Sequence, residues 1–115
     1  MAYVCPGPTY RYLLQWLIGG TRGGVNRGRI INALREQPMN ANQLGKLLEL
    51  DYRTIRHHLE ALEKHKLLAS MGDRYGKMYF VFIELEEHLD VFDEIWVEIG
   101  KRLKKGKMSE TTNEE

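Results

Sequence analysis

Apolar positions along this chain change their period twice, from helical to strand-like and back, and breaks between the helical runs divide them into elements. Tyr12, Leu13, Trp16 and Leu17 follow a 1-4-5 spacing, which predicts a short helix over Tyr10–Ile18. Met1–Thr9, with Pro6, Gly7 and Pro8, reads as an irregular lead-in. Glycines 19, 20, 23 and 24 then break the pattern. Asn26–Gln37 places Ile30, Ile31 and Leu34 on one face, with Asn26 as N-cap and Pro38 as the stop. Asn40 followed three residues later by Gln43 has the form of a capping box, opening a helix to Leu48 with Leu44, Leu47 and Leu48 as its buried stripe. After the break at 49–52 a longer helix follows, capped by Asp51 or Tyr52. Its inward positions are Ile55, Leu59 and Leu62, with Leu67 beyond.

At Lys66 the period shortens to two. Leu68–Met71 and Met78–Ile83 read as strands around a hairpin tip at Gly72–Lys77. Tyr79, Val81 and Ile83 alternate with Met78, Phe80 and Phe82, so both faces are apolar. From about Glu86 to Lys104, Leu85, Leu89, Phe92, Trp96, Ile99 and Leu103 step by four and three, the spacing of a heptad seam. The polar end from Ser109 reads as disordered. Two helices, a tight turn and a following hairpin give the expected fold class: mainly α with a small β-hairpin, a winged helix-turn-helix with a C-terminal dimerisation helix. The division is 1–24 for the lead-in and short helix, 25–84 for the winged domain, 85–107 for the dimerisation helix and 108–115 for the tail.

A length of 115 residues gives room for one core. No apolar run reaches the roughly 18–20 residues of a membrane span, and no secretory leader pattern is visible. Cys5 is the single cysteine, so no internal disulfide forms and a reducing, cytoplasmic setting is expected. The net charge of +1 conceals strong patterning. Met1–Ile83 holds 12 Lys/Arg against 6 Asp/Glu, whereas Glu84–Gly100 holds 7 acids and no Lys or Arg. A basic body beside an acidic helix suits a polyanion on one face only.

Candidate chemistry gathers at the start of the second helix of the helix-turn-helix. A helix that reads the major groove does so from its N-terminal turns. Arg53 and Arg56, three apart, are placed to meet guanine edges or phosphates, with His57 on the same face. Tyr52 and Thr54 can bond phosphate oxygens. Arg74 and Lys77 at the hairpin tip are placed to straddle the sugar-phosphate backbone, and Arg22, Arg27 and Arg29 to touch phosphate near the first main helix. His58 sits among core positions and reads as a partly buried imidazole bonded to backbone. The glycine run 19–24 lacks the Gly-Lys-Ser/Thr of a nucleotide-binding loop. His57, His58, His65 and His88 have no metal-ligand spacing. No nucleophile stands beside a base, so neither an enzyme nor a cofactor is expected. The stripe is expected to divide, inner positions packing on the winged-helix body and outer ones on a twofold-related copy. Leu89, Phe92, Trp96, Ile99 and Leu103 are assigned to the homodimer contact, because one small reader needs a second half-site for useful affinity.

Thr21-Arg22-Gly23-Gly24, Asn26-Arg27, Arg29-Ile30, Asn40-Ala41-Asn42-Gln43-Leu44 and the run Asp51–Leu59 resemble archaeal winged-helix regulators of the ArsR-type superfamily, and Tyr75-Gly76 and Tyr79-Phe80 continue the likeness. It spans roughly Gly19–Ile83. The resemblance implies a dimeric transcriptional regulator with the third main helix in the major groove of double-stranded DNA, nucleoid-associated. The cysteine-rich helix site of that superfamily's metal sensors is missing. A nonspecific chromatin-type DNA-binding protein and a winged-helix protein-interaction module are the alternative readings.

Overall fold

The computed structural model describes residues 6–20, 23–73 and 76–114, with side chains given for 10–20, 23–73 and 76–103. Helix α1 (Pro6–Leu14) runs without a break into a π turn, Gln15–Gly19. Then come α2 (Gly24–Glu36), α3 (Ala41–Leu48), α4 (Tyr52–Lys64), β1 (Leu68–Met71), β2 (Met78–Val81), the single turn α5 (Ile83–Glu86) and α6 (Leu89–Glu114). The arrangement is mostly helical with one antiparallel hairpin.

The first helix starts earlier than the sequence predicts. Pro6 takes its first position, where a missing N–H costs nothing and the fixed φ suits a helix. Its buried face is also turned. Tyr10, Leu14, Leu17 and Ile18 are buried, whereas Tyr12 and Trp16, two of the four expected stripe positions, are exposed. The four buried residues are spaced i, i+4, i+7, i+8, one face of a helix, and that face packs into the common core.

The helix-turn-helix forms as its caps dictate. Asn40 accepts from the Gln43 backbone N–H at 2.8 Å and the Gln43 side chain accepts from the Asn40 N–H at 2.9 Å, completing the capping box. Glu49 closes α3 in the left-handed region (φ 58°) and Leu50 N–H bonds Gly45 O. Asp51 caps α4 by accepting from the Thr54 N–H at 2.7 Å. Ile55, His58, Leu59 and Leu62 form the buried face of α4, against Ile30, Ile31 and Leu34 of α2 and Leu44 of α3. Leu47, expected inside, is exposed.

The hairpin pairs Leu68 with Val81 through Met71 with Met78. Only Tyr79 of β2 is fully buried, and it is gripped from a second side. Met39 N–H donates to Tyr79 O and Tyr79 N–H to Met39 O, at 3.2 and 2.8 Å, which ties the α2–α3 connection to the wing. The second strand ends at Val81. Ile83 belongs to α5 and faces solvent.

The C-terminal helix requires two corrections. It begins at Leu89, after α5, and its backbone stays helical to Glu114, across the stretch expected to be disordered. The seam assigned to a dimer contact is largely taken up by the chain's own body. Phe92 is fully buried, Ile99 nearly so, and Ile95 lies between them in the same core. The Trp96 ring stacks on Phe92, with centroids 6.1 Å apart, and lies where a side chain on Gly28 of α2 would sit. Leu89 is half-buried against the core, and of the five assigned residues only Leu103 is exposed. A short amphipathic helix gains its stability by burying its stripe, and the nearest apolar surface is that of α1 and α2.

Candidate nucleic-acid interface

The α4 helix presents its outer face because Ile55, His58, Leu59 and Leu62 commit the opposite one to the core. Arg53 stands on the first turn, exposed, with no side-chain hydrogen bond or ion pair among the described residues. His57, one turn on, is exposed as well, its ring centroid 5.5 Å from that of His58. Thr54 has less freedom. Its hydroxyl donates to Asp51 Oδ2 at 3.1 Å and its N–H to Oδ1, so both polar groups serve the cap. Those two bonds favour the charged form and hold the Asp51 carboxyl below its ordinary range.

Arg56 is held differently from Arg53. Nη1 donates to Tyr52 Oη at 3.2 Å, Nη2 to Glu60 Oε2 at 3.1 Å, and the guanidinium lies 5.8 Å from the Tyr52 ring centroid. Its Nε is buried with no acceptor. Lys77, at the start of the returning wing, has Nζ 3.9 Å from Glu63 Oε1 and 5.7 Å from the Tyr79 ring. These residues meet in one polar concavity of about 230 Å³, lined by Asn40, Ala41, Asn42, Tyr52, Arg56, Lys77 and Tyr79. Spacing on α4 brings Tyr52 and Arg56 together. Asn40, Asn42 and Tyr79 join them only because Met39 is bonded to Tyr79, a contact forty residues apart that no local pattern encodes.

Arg27 turns inward. Its Nη1 donates to Leu17 O at 3.0 Å and its Nε to His58 Nδ1 at 3.3 Å, so it ties the π turn and α4 to α2 instead of facing a phosphate. Among the described residues His58 is thus bonded to a side chain and not to backbone. Burial, then the nearby Arg27 and His57 charges, pull its imidazole below the ordinary value of 6.5. Arg29 is likewise engaged, with Asn26 Oδ1 at 3.1 Å and Leu48 O at 2.8 Å, and joins α2 to α3. Arg22 and Arg74 lie outside the described residues. Among the described residues no three His, Cys, Asp or Glu side chains gather as a metal site, and no helix is long and apolar enough to cross a membrane.

Residues 25–70, from α2 into β1, match the model of the bacterial regulatory protein arsR family. Three solved structures share the architecture. The PcaV transcriptional regulator from Streptomyces coelicolor superposes with a TM-score of 0.58 at 22% identity, covering 85% of this chain and 77% of that one. The fold is a winged helix-turn-helix. An ArsR-like transcriptional regulator from Rhodococcus sp. RHA1 gives 0.56 at 20% identity over 95% of this chain and 98% of its own. PcaV in complex with its natural ligand gives 0.58 at 22%, over 88% and 79%. No curated protein sequence matches the chain. In this winged helix-turn-helix, α3 and α4 form the helix-turn-helix and β1–β2 the wing.

Proposed function

We propose that this chain is a homodimeric, sequence-specific DNA-binding transcriptional regulator, with α4 in the major groove and the β1–β2 wing on the backbone. The observation that carries the reading is the outward pair Arg53 and His57, neither with a side-chain hydrogen bond or ion pair among the described residues, on the first two turns of a helix whose other face is locked into the core. A long cationic side chain with no hydrogen-bond or ion-pair partner among the described residues retains its donors for a base edge, and Arg against guanine is the commonest specific contact. Tyr52, Thr54 and Arg56 flank that pair along α4, and Lys77 shares a concavity with Tyr52 and Arg56 on the wing side.

Dimerisation belongs to surfaces the monomer leaves apolar. Val97 and Leu103 on α6, and Tyr12 and Trp16 on the α1 side, are exposed. Pairing through them would cover apolar surface and set two α4 helices on successive half-sites.

The test is a duplex selected from a random pool, titrated by fluorescence anisotropy against a scrambled duplex across a salt series. Preference for the selected duplex by roughly a thousandfold or more, with affinity falling steeply as salt rises, is the expected result. Equal affinity for the two duplexes would reduce the chain to a nonspecific DNA coat. Binding to neither would end the nucleic-acid reading.

A further inference from the structure

The two arginines of α4 lie in different surroundings, and the difference assigns them different tasks. Arg53 is exposed and unengaged. Arg56 is fixed between Tyr52 and Glu60 and lines the concavity shared by the start of α3, α4 and β2, with the Lys77 ammonium on the wing side. A guanidinium has five N–H donors; two bonds are found for this half-exposed side chain, and its shielded Nε has no acceptor among the described residues. Buried donors in folded proteins nearly always find a partner, so an orphan calls for an explanation. Two amide side chains, Asn40 and Asn42, and the Tyr79 phenol complete the lining. Glu60 and Glu63 each pair with one of the cations, at 3.1 and 3.9 Å; neither carboxylate is among the lining residues, though the charge of both reaches Tyr79.

We infer that this concavity seats a single phosphate of the DNA backbone, gripped by Arg56 and Lys77, and that Arg56 sets the docking register while Arg53 reads sequence. The inference rests on the nucleic-acid reading above and deepens it. A tetrahedral dianion or diester fits a pocket of this size that is lined by two cations, one from α4 and one from the wing. A base edge does not, because a base pair is held in its stack while a phosphate projects from the duplex. Arg56 is therefore a positioning contact, indifferent to the base pair beside it.

The experiment uses the full-length chain, the selected duplex and a set of duplexes carrying one neutral methylphosphonate at successive positions. Arg56→Ala and Lys77→Ala should each weaken selected and scrambled duplexes by the same factor, roughly tenfold, and lower the salt slope by about one. In each half-site one methylphosphonate should weaken the wild type and cost the Arg56→Ala variant nothing further, since the contact has already been lost. Arg56→Lys, which keeps the charge, should restore the salt slope and serves as the folded control. Loss of preference for the selected duplex in Arg56→Ala, with an unchanged slope, would make Arg56 a base reader and overturn the inference while leaving DNA binding intact. Strict additivity at every methylphosphonate position would overturn it too. Saturable binding of inorganic phosphate at constant ionic strength, together with that additivity, would assign the pocket to a free anion. A wild type that binds neither duplex takes this inference down with the function it deepens.

Discussion

Residues of one type behave differently here according to what stands across from them in space. Arg27, Arg29, Arg53 and Arg56 lie within thirty positions of one another. Two brace helices inside the fold, one is held in a polar pocket, and one is left outward. Sequence marks the outward one, because Arg53 belongs to the N-terminal turn of a helix whose apolar period is clear. It cannot mark Arg27, whose partners Leu17 and His58 come from separate elements. Arg53→Ala is expected to weaken the selected duplex by about 1–3 kcal/mol and the scrambled one far less, as read by the same anisotropy titration. Equal losses would show that it touches only the backbone. His58 gives the pH prediction. Its folded-state value is depressed, so below about pH 6.5 the unfolded chain binds a proton that the folded chain refuses. That part of the stability is complete above pH 6.5 and declines as pH falls beneath it. Urea unfolding at pH 7.5 and about pH 5.5 should therefore show a larger acid loss for the wild type than for His58→Gln. Identical losses would mean that folding leaves the His58 titration where it stands in the unfolded chain.

Elements show where local signals suffice and where packing overrules them. The capping box at Asn40–Gln43 and the Asp51 cap follow from residue identity, since a short polar side chain meets orphan N–H groups wherever a helix starts. Asn40→Ala should cost about 1 kcal/mol in the urea midpoint, with α3 as the element that frays. The helix before α2 was less legible. The face that packs runs through Tyr10, Leu14, Leu17 and Ile18, so Tyr12 and Trp16 face water, and the apolar spacing of Tyr12, Leu13, Trp16 and Leu17 marks a neighbouring face. Glycine 24 reads as a breaker in sequence, yet in space it is a contact point: a Cβ there would run into the Ile18 carbonyl. Backbone cannot yield as a side-chain tip can. Gly24→Ala is expected to destabilise the chain by about 1–3 kcal/mol, and an unchanged melting curve would show that α1 and α2 are free to separate.

At the scale of the whole molecule the question is how one amphipathic helix divides between its own body and a second copy. A heptad seam fixes which positions of α6 are apolar; it does not fix what covers them. Here the inner part of the seam is consumed within the chain, and the acidic face of the same helix is partly neutralised there, with Arg11 bonded to Glu94 at 3.1 Å and Arg35 to Asp93 at 2.7 Å. These are exposed pairs of small energetic weight, yet they set α6 against α1 and α2 in one orientation. The apolar positions left for a partner on α6 are therefore the exposed Val97, off the packed seam, and the exposed Leu103, at its far end. Two kinds of substitution should separate accordingly. Phe92→Ala empties a closed core site and should cost about 3–5 kcal/mol whatever the oligomeric state. Val97→Glu with Leu103→Glu touches no buried position and should leave a folded chain whose mass by light scattering falls from two copies to one. Because a dimeric reader draws its affinity from two half-sites, that variant should also lose most of its preference for the selected duplex while each monomer keeps its α4 surface intact. A variant that stays dimeric would move the contact to Tyr12 and Trp16, and with it the distance between the two α4 helices that any operator must match.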